Sequence, residues 1–262
     1  MSIFDEVGER VDRLELGFNA LGVDKFGVSK RHLKIFLGAL ATLSRFYFRV
    51  QAHGIENVPK RGRAMLIGNH SGGVAFDGGM VLASMLLDME PPRLAHAMVE
   101  KFLNATPIAS QWTARTGQFV GLPEHAIQLL EDDRLLMVFP EGARGTAKLY
   151  KERFSLVDFG TGFMRLALQT KTPIVPFGFI GGGDALPTFH NSKALGKLVG
   201  APYVPFTPWL LPVPIPAKLS VYYGEPLHFE GTGNEEDSVI IGHVEKVKDA
   251  VRALIEKGRG GA

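Results

Sequence analysis

In the run Asn69-His70-Ser71-Gly72-Gly73-Val74-Ala75-Phe76-Asp77, a histidine follows an apolar pentapeptide, and a carboxylate stands six intervening residues further on. Imidazole takes up a proton near neutral pH, and a carboxylate on its far ring nitrogen fixes the tautomer that does so. His70 and Asp77 therefore have the chemistry of a general base and its orienting partner. Gly72-Gly73 allows the tight reversal that would bring them together. The same residues also fit a plainer role, with Asp77 capping a helix and His70 packing at a strand end. A second polar cluster, Pro140-Glu141-Gly142-Ala143-Arg144-Gly145-Thr146, follows the apolar run Leu135 to Phe139. Ligands tend to bind at such strand ends, so Glu141 and Arg144 are expected to meet the cleft of His70. The planar fork of Arg144 suits a phosphate or carboxylate; the alternative is a surface ion pair of little energetic weight.

Other candidates carry less. Ser71 adjoins His70, but neighbours on extended backbone point to opposite sides, which argues against a nucleophile pair. His70, Asp77, Asp184 and His190 match no compact metal spacing, so no metal is expected. Gly181-Gly182-Gly183-Asp184 reads as a plain turn before it reads as a phosphate loop.

These side chains need a scaffold, and 262 residues with 45% hydrophobic content supply one large domain with a real core. The absence of cysteine removes disulfides, thiolate-bound zinc and a thiol nucleophile, and fits a reducing cytoplasm. A net charge of +2, with no dense basic tract, argues against nucleic acid. The acidic start Met1-Ser2-Ile3-Phe4-Asp5-Glu6 lacks the pattern of a secretion signal, and no run reaches the length of a membrane span. The expected location is the cytoplasm, peripheral on the inner face of the membrane.

Helical spacing runs from Phe4 to Leu21 and again from Leu33 to Val50, giving an N-terminal helical arm over residues 1–50. The second segment, with Lys30, Arg31 and Lys34 at its front edge, fits equally a core helix and one lying in lipid headgroups. Residues 51–257 then alternate strands and helices. Strands are expected at Ala64 to Gly68, Leu94 to Val99, Gln118 to Gly121, Leu135 to Phe139, Ile174 to Phe179 and Leu219 to Tyr223. Helices are expected at Asp77 to Leu87, Glu124 to Glu131, Gly160 to Gln169 and Glu236 to Glu256. The fold class is α/β, a mixed and largely parallel sheet flanked by helices. The proline-dense stretch Tyr203 to Pro216 should be an extended apolar loop, packed on the domain or touching an acyl chain or membrane. Residues 258–262 are expected to form a flexible tail.

Three blocks taken in order, Asn69-His70 to Asp77, Phe139-Pro140-Glu141-Gly142-Ala143-Arg144 and Thr172-Pro173-Ile174-Val175-Pro176-Phe177, resemble the motifs of the glycerolipid and lysophospholipid acyltransferase family. The resemblance spans roughly residues 50 to 230. The six residues between His70 and Asp77, where the best-known members have four, look more like the monoacylglycerol and diacylglycerol acyltransferase branch. A further family block carries an arginine that helps hold the acceptor's phosphate. Here Gly117-Gln118-Phe119-Val120-Gly121-Leu122-Pro123-Glu124 has none after the strand, which points to a less charged acceptor, unless Arg115 or Lys148 substitutes. The resemblance implies transfer of a fatty acyl group from acyl-CoA or acyl carrier protein to a lipid hydroxyl, with no cofactor beyond that donor. His70 would act as general base and Asp77 would orient it. Substrate contacts are expected at Asn69, Gly73, Glu141, Gly142 and Arg144, and oxyanion donors among the amides of Gly142 to Gly145 or of Gly72-Gly73. Partners are the acyl donor, the lipid acceptor and a membrane surface. Competing readings are a non-catalytic lipid-binding protein on the same fold and an acyl-thioester hydrolase.

Overall fold

Ala64-Met65-Leu66-Ile67-Gly68 has no polar side chain because both of its faces are covered. In the computed structural model of the protein, which describes residues 1–99 and 107–260, it is a central strand buried along its whole length. Parallel strands packed on both sides read in this way as unbroken apolar runs. In chain order the strands are β1 (Gln51–His53), β2 (Ala64–Gly68), β3 (Ala95–Val99), β4 (Phe119–Val120), β5 (Leu135–Val138), β6 (Ile174–Ile180), β7 (His190–Ser192), β8 (Val204–Phe206) and β9 (Ser220–Tyr223). The helices are α1 (Ile3–Asp12), α2 (Lys30–Thr42), α3 (Phe76–Leu87), α4 (Pro107–Arg115), α5 (Pro123–Glu131), α6 (Ala143–Thr146), α7 (Gly162–Gln169), α8 (Gly182–Ala185), α9 (Lys193–Val199) and α10 (Asp237–Gly260).

Seven strands form one sheet in the order β1-β9-β6-β2-β5-β3-β4, parallel throughout except for the antiparallel pair β6 and β9. This is the mixed, largely parallel sheet expected from the sequence. Side chains alternate across it. Leu66, Met137 and Phe177 face a cluster built with α1, α2 and α3, whereas Met65, Ile67 and Leu136 face one built with α5, α7 and α10. The strand that matters most for chemistry is β2, because β5 lies beside it in register, Ile67 opposite Val138. The segments leaving both carboxyl ends therefore run out next to each other, and they carry His70 and Glu141.

Several elements differ from expectation. Helix α1 stops at Asp12, short of Leu21, because the following residues bind their own backbone. Asn19 Oδ1 accepts from the amides of Leu21 and Val23, and Asp24 Oδ1 accepts from those of Phe26 and Val28. Such local bonds compete with a helix. Helix α2 continues as a π-turn over Leu43–Phe48 and ends at Arg49, whose φ is 50°. It buries Leu33, Leu37, Gly38 and Ala41 against the protein, as the core-helix reading expects, while Ile35 and Phe46 stay exposed. Within the proline-dense stretch, Val204–Phe206 is not loop but strand β8, paired antiparallel with β7 in a separate ribbon. A two-stranded ribbon has only edges, which is where a strand tolerates Pro205. Helix α10 runs through the expected tail to Gly260; Gly258 lets Ile180 and Tyr222 approach to where a Cβ would stand. Residues 261 and 262 of that tail lie outside the described residues.

Candidate active site

His70 leaves β2 just past its last residue, and Asp77 sits in the first turn of α3. The intervening loop doubles back through Gly72 and Gly73, whose φ values of 98° and 69° lie in the region that glycine enters without penalty. His70 Nδ1 and Asp77 Oδ2 are 2.7 Å apart. A carboxylate oxygen can only accept, so Nδ1 is the donor and Nε2 is the ring nitrogen that Asp77 does not engage. Asp77 is fully buried, and it accepts from the backbone amide of Ser71 at Oδ2 and from that of Gly78 at Oδ1, each at 2.8 Å. These donors, together with the N-terminal end of α3, fix the orientation of the carboxylate. The imidazole lies flat on Phe139, with ring centroids 4.1 Å apart and planes 13° from parallel, which stops it turning away. Ser71 contributes its backbone amide to Asp77.

Glu141 and Asn69, expected to touch substrate, both face inward and bond to protein partners. The Glu141 side chain is fully buried. It accepts from the amide of His70 at 2.8 Å, from the amide of Val157 at 2.8 Å and from Lys148 Nζ at 3.0 and 3.1 Å. Its lone pairs are engaged, so it ties the two strand-end loops together and leaves nothing for a ligand. Asn69 likewise faces inward, exchanging two hydrogen bonds with the backbone of Phe179 at 2.9 and 2.7 Å. Arg144 points away from the cleft, and its guanidinium donates to the carbonyl of Asp158 at 2.9 Å. The amides of Gly142 and Gly145, expected as oxyanion donors, are bonded to the carbonyls of Phe139 and Gly142. Lys148, considered as a phosphate-binding substitute, is held by Glu141, and Arg115 is exposed at the end of α4. Gly73 and Gly142 do line the cleft.

That cleft is a cavity of about 1130 Å³ that starts at His70 and runs between α2, α3, α4 and the ends of β3 to β5. Phe36, Leu40, Met80, Leu82, Val99 and Trp112 are among its apolar walls. Among the described residues, no lysine, arginine, aspartate or glutamate lines it. No cluster of three or more histidine, aspartate or glutamate side chains that could hold a metal occurs among the described residues.

Tyr203 was not singled out by sequence reasoning. It comes from the segment between β7 and β9 and lines the cavity; its hydroxyl bonds to the carbonyl of Gly73 at 3.0 Å and contacts Thr146 Oγ1. Burial pushes its phenol up to about 12, so it stays neutral and able to donate. Tyr203 thus joins the His70 loop to the turn after β5. Its place in a tyrosine-containing, proline-rich stretch gave no local signal, because the contact is with residues some sixty and one hundred and thirty positions away.

Comparison with known proteins agrees with this geometry. The acyltransferase family profile matches residues 49–180, half of the chain, and covers both polar clusters. An uncharacterized protein of Mycobacterium tuberculosis is 31% identical over 245 residues, 89% of this chain and 68% of the relative. A Bos taurus protein described as a DGAT1/2-independent enzyme synthesizing storage lipids is 26% identical over 209 residues, 79% of this chain and 59% of its own length. Among solved structures, the 1-acyl-sn-glycerophosphate acyltransferase PlsC of Thermotoga maritima superposes with a TM-score of 0.59 at 17% identity, covering 88% of this chain and 82% of that one, so the sheet architecture is shared. With a profile match over half its length and relatives aligned along nearly all of it, the chain belongs to the acyltransferase family.

Proposed function

We propose that the protein moves a fatty acyl group from a thioester donor, acyl-CoA or acyl carrier protein, to a hydroxyl of a glycerolipid or lysophospholipid, with His70 as the general base. The observation that carries this reading is the His70 to Asp77 bond at the head of an apolar cavity. His70 Nε2 takes the hydroxyl proton as the alcohol oxygen attacks the thioester carbonyl carbon. The resulting imidazolium is stabilised by Asp77, which stays ionised. Collapse of the tetrahedral intermediate breaks the carbon–sulfur bond, and the thiolate leaves with the proton returned from Nε2. The acyl chain lies against the apolar walls, where burial contributes about 0.8 kcal/mol per methylene. A cavity without a lysine or arginine among its described lining favours an acceptor with an uncharged headgroup, such as a partial glyceride, over one bearing a free phosphate.

The experiment is a labelled transfer assay. Purified protein is given acyl-CoA or acyl carrier protein with monoacylglycerol, diacylglycerol, lysophosphatidate or water alone, and products are read by mass spectrometry. We expect acylated glyceride to form, and His70→Ala to lower the rate by roughly two to four orders of magnitude while the thermal melt is retained. Acceptor-independent release of free fatty acid would instead indicate hydrolysis. An unaltered rate in His70→Ala rules out the base assignment.

A further inference from the structure

The two longest stretches of this chain without aspartate or glutamate are Lys25 to Ile55 and Ala185 to Gly224. Far apart in sequence, they meet in the fold, where Tyr47 Oη donates to the carbonyl of Pro214 at 2.9 Å. Both also line the cavity, through Leu43 and Tyr47 on one side and Val213 and Pro214 on the other. Leu43, Tyr47 and Val213 are at once cavity-lining and solvent-exposed, so this junction is the rim of the opening. Around it Phe46 is 62% exposed, Leu210 69% and Leu211 62%. Single exposed apolar residues are ordinary, but a grouping of this size at one rim marks a surface that meets something apolar.

The tip of that surface is held in shape. Thr207 Oγ1 donates to the carbonyl of Leu211 at 2.9 Å, and Trp209 Nε1 donates to that of Val213 at 3.0 Å. Leu210 adopts a φ of 67°, a conformation that a leucine keeps only when its surroundings impose it. A loop that fixes its backbone in order to present two leucines to water is built for contact. Its charge points to the partner, since exposed Arg49 directly follows the π-turn and exposed Lys218 follows the loop, and the bond from the Gln51 amide to the carbonyl of Leu219 brings the two segments together.

We propose that the proline-rich loop at 207–215 and the π-turned end of α2 form one docking rim that seats on an anionic lipid bilayer, so that the cavity opens into the membrane. The purpose of the rim rests on the acyl-transfer reading, since a lipid acceptor then reaches His70 without crossing water. Leu210, Leu211 and Phe46 enter the acyl boundary while the basic side chains lie among the headgroups.

Co-sedimentation tests the rim by itself. Full-length protein is mixed with vesicles of phosphatidylcholine alone or with about one third phosphatidylglycerol. We expect binding to the anionic vesicles that weakens with added salt, and a loss of roughly tenfold or more for Leu210→Glu/Leu211→Glu and for Phe46→Glu. Ile241→Glu, a change at an exposed apolar residue of α10, should bind as the unaltered protein does. Transfer to a short-chain acceptor dissolved as monomers should survive the rim substitutions, and transfer to a vesicle-embedded acceptor should fall with the binding. Undiminished vesicle binding by both rim variants overturns the proposal. So does concentration-dependent self-association that the rim variants abolish without any vesicle binding by the unaltered protein. If the unaltered protein binds vesicles through the rim yet acylates nothing, the docking rim stands and the acyl-transfer reading fails.

Discussion

At the scale of single residues, the site depends on how few degrees of freedom its side chains retain. His70 is held at Nδ1 by Asp77, on its face by Phe139 and at its own amide by Glu141. In its proposed role as base, a side chain fixed in this way loses little entropy when the reacting hydroxyl arrives. Tyr203 extends the same control across the cleft through its hydroxyl bonds to Gly73 and Thr146. Tyr203→Phe removes the hydroxyl and keeps the ring. A neutral hydrogen bond is worth about 0.5–1.5 kcal/mol, so kcat should drop about twofold to tenfold, with the melting temperature nearly unchanged. Steady-state kinetics with a soluble acceptor check this, and an unaltered kcat and KM would show that the bond does not position the loop.

At the scale of elements, the link between the ends of β2 and β5 is Glu141, which accepts from the amide of His70 and is paired with the buried Lys148, the two side chains being 0% and 4% exposed. Removing one member of such a pair leaves an uncompensated charge inside the protein, at a cost of about 3–5 kcal/mol. We expect Lys148→Met to destabilise by that amount in urea unfolding. Adding Glu141→Gln should recover part of the loss, because it removes the unpaired charge while its single amide oxygen keeps one of the two backbone bonds, from His70 or from Val157. A single-variant loss below about 1 kcal/mol would mean the pair is not the clasp described here. The strict packing at this junction is visible also at Gly145, where a Cβ would stand 2.7 Å from that of His70 and 2.8 Å from that of Glu141.

For the whole molecule, acid sensitivity should begin at a residue far from the chemistry. His96 on β3 is fully buried, donates from Nδ1 to the carbonyl of Gly117 at 3.0 Å, and leaves Nε2 without a partner among the described residues. Burial, reinforced by the nearby Arg134 charge, pushes it down to about 3. The unfolded chain takes up this proton near pH 6.5 and the folded one only near 3, so stability is full above the first value and falls as pH drops through that window. The slope from this residue is about 1.4 kcal/mol per pH unit. Carboxylates such as Asp12, lowered by its bond from Lys34, contribute only further down, as pH falls below the ordinary carboxylate range. Urea unfolding between pH 7 and 4 should therefore show a steep acid limb that His96→Leu flattens; parallel limbs in the two proteins would remove His96 as its source.

The sequence by itself determined what local pattern can encode. The unbroken apolar runs of β2, β5 and β6 announced a covered, largely parallel sheet, and the ordered blocks around His70, Glu141 and Pro176 announced the family, because both are written within a few consecutive residues. Only the tertiary structure decided which polar residues face the cleft. Asn69, Glu141 and Arg144 each stand in a motif, yet their partners, Phe179, Lys148 with Val157, and Asp158, turn them to holding the backbone. Tyr203 stands in no motif and reaches the cavity from the segment that leads into β8. Hydrogen bonds and burial are pairwise properties of residues distant along the chain, so a single sequence names the chemistry available and leaves its direction to the fold.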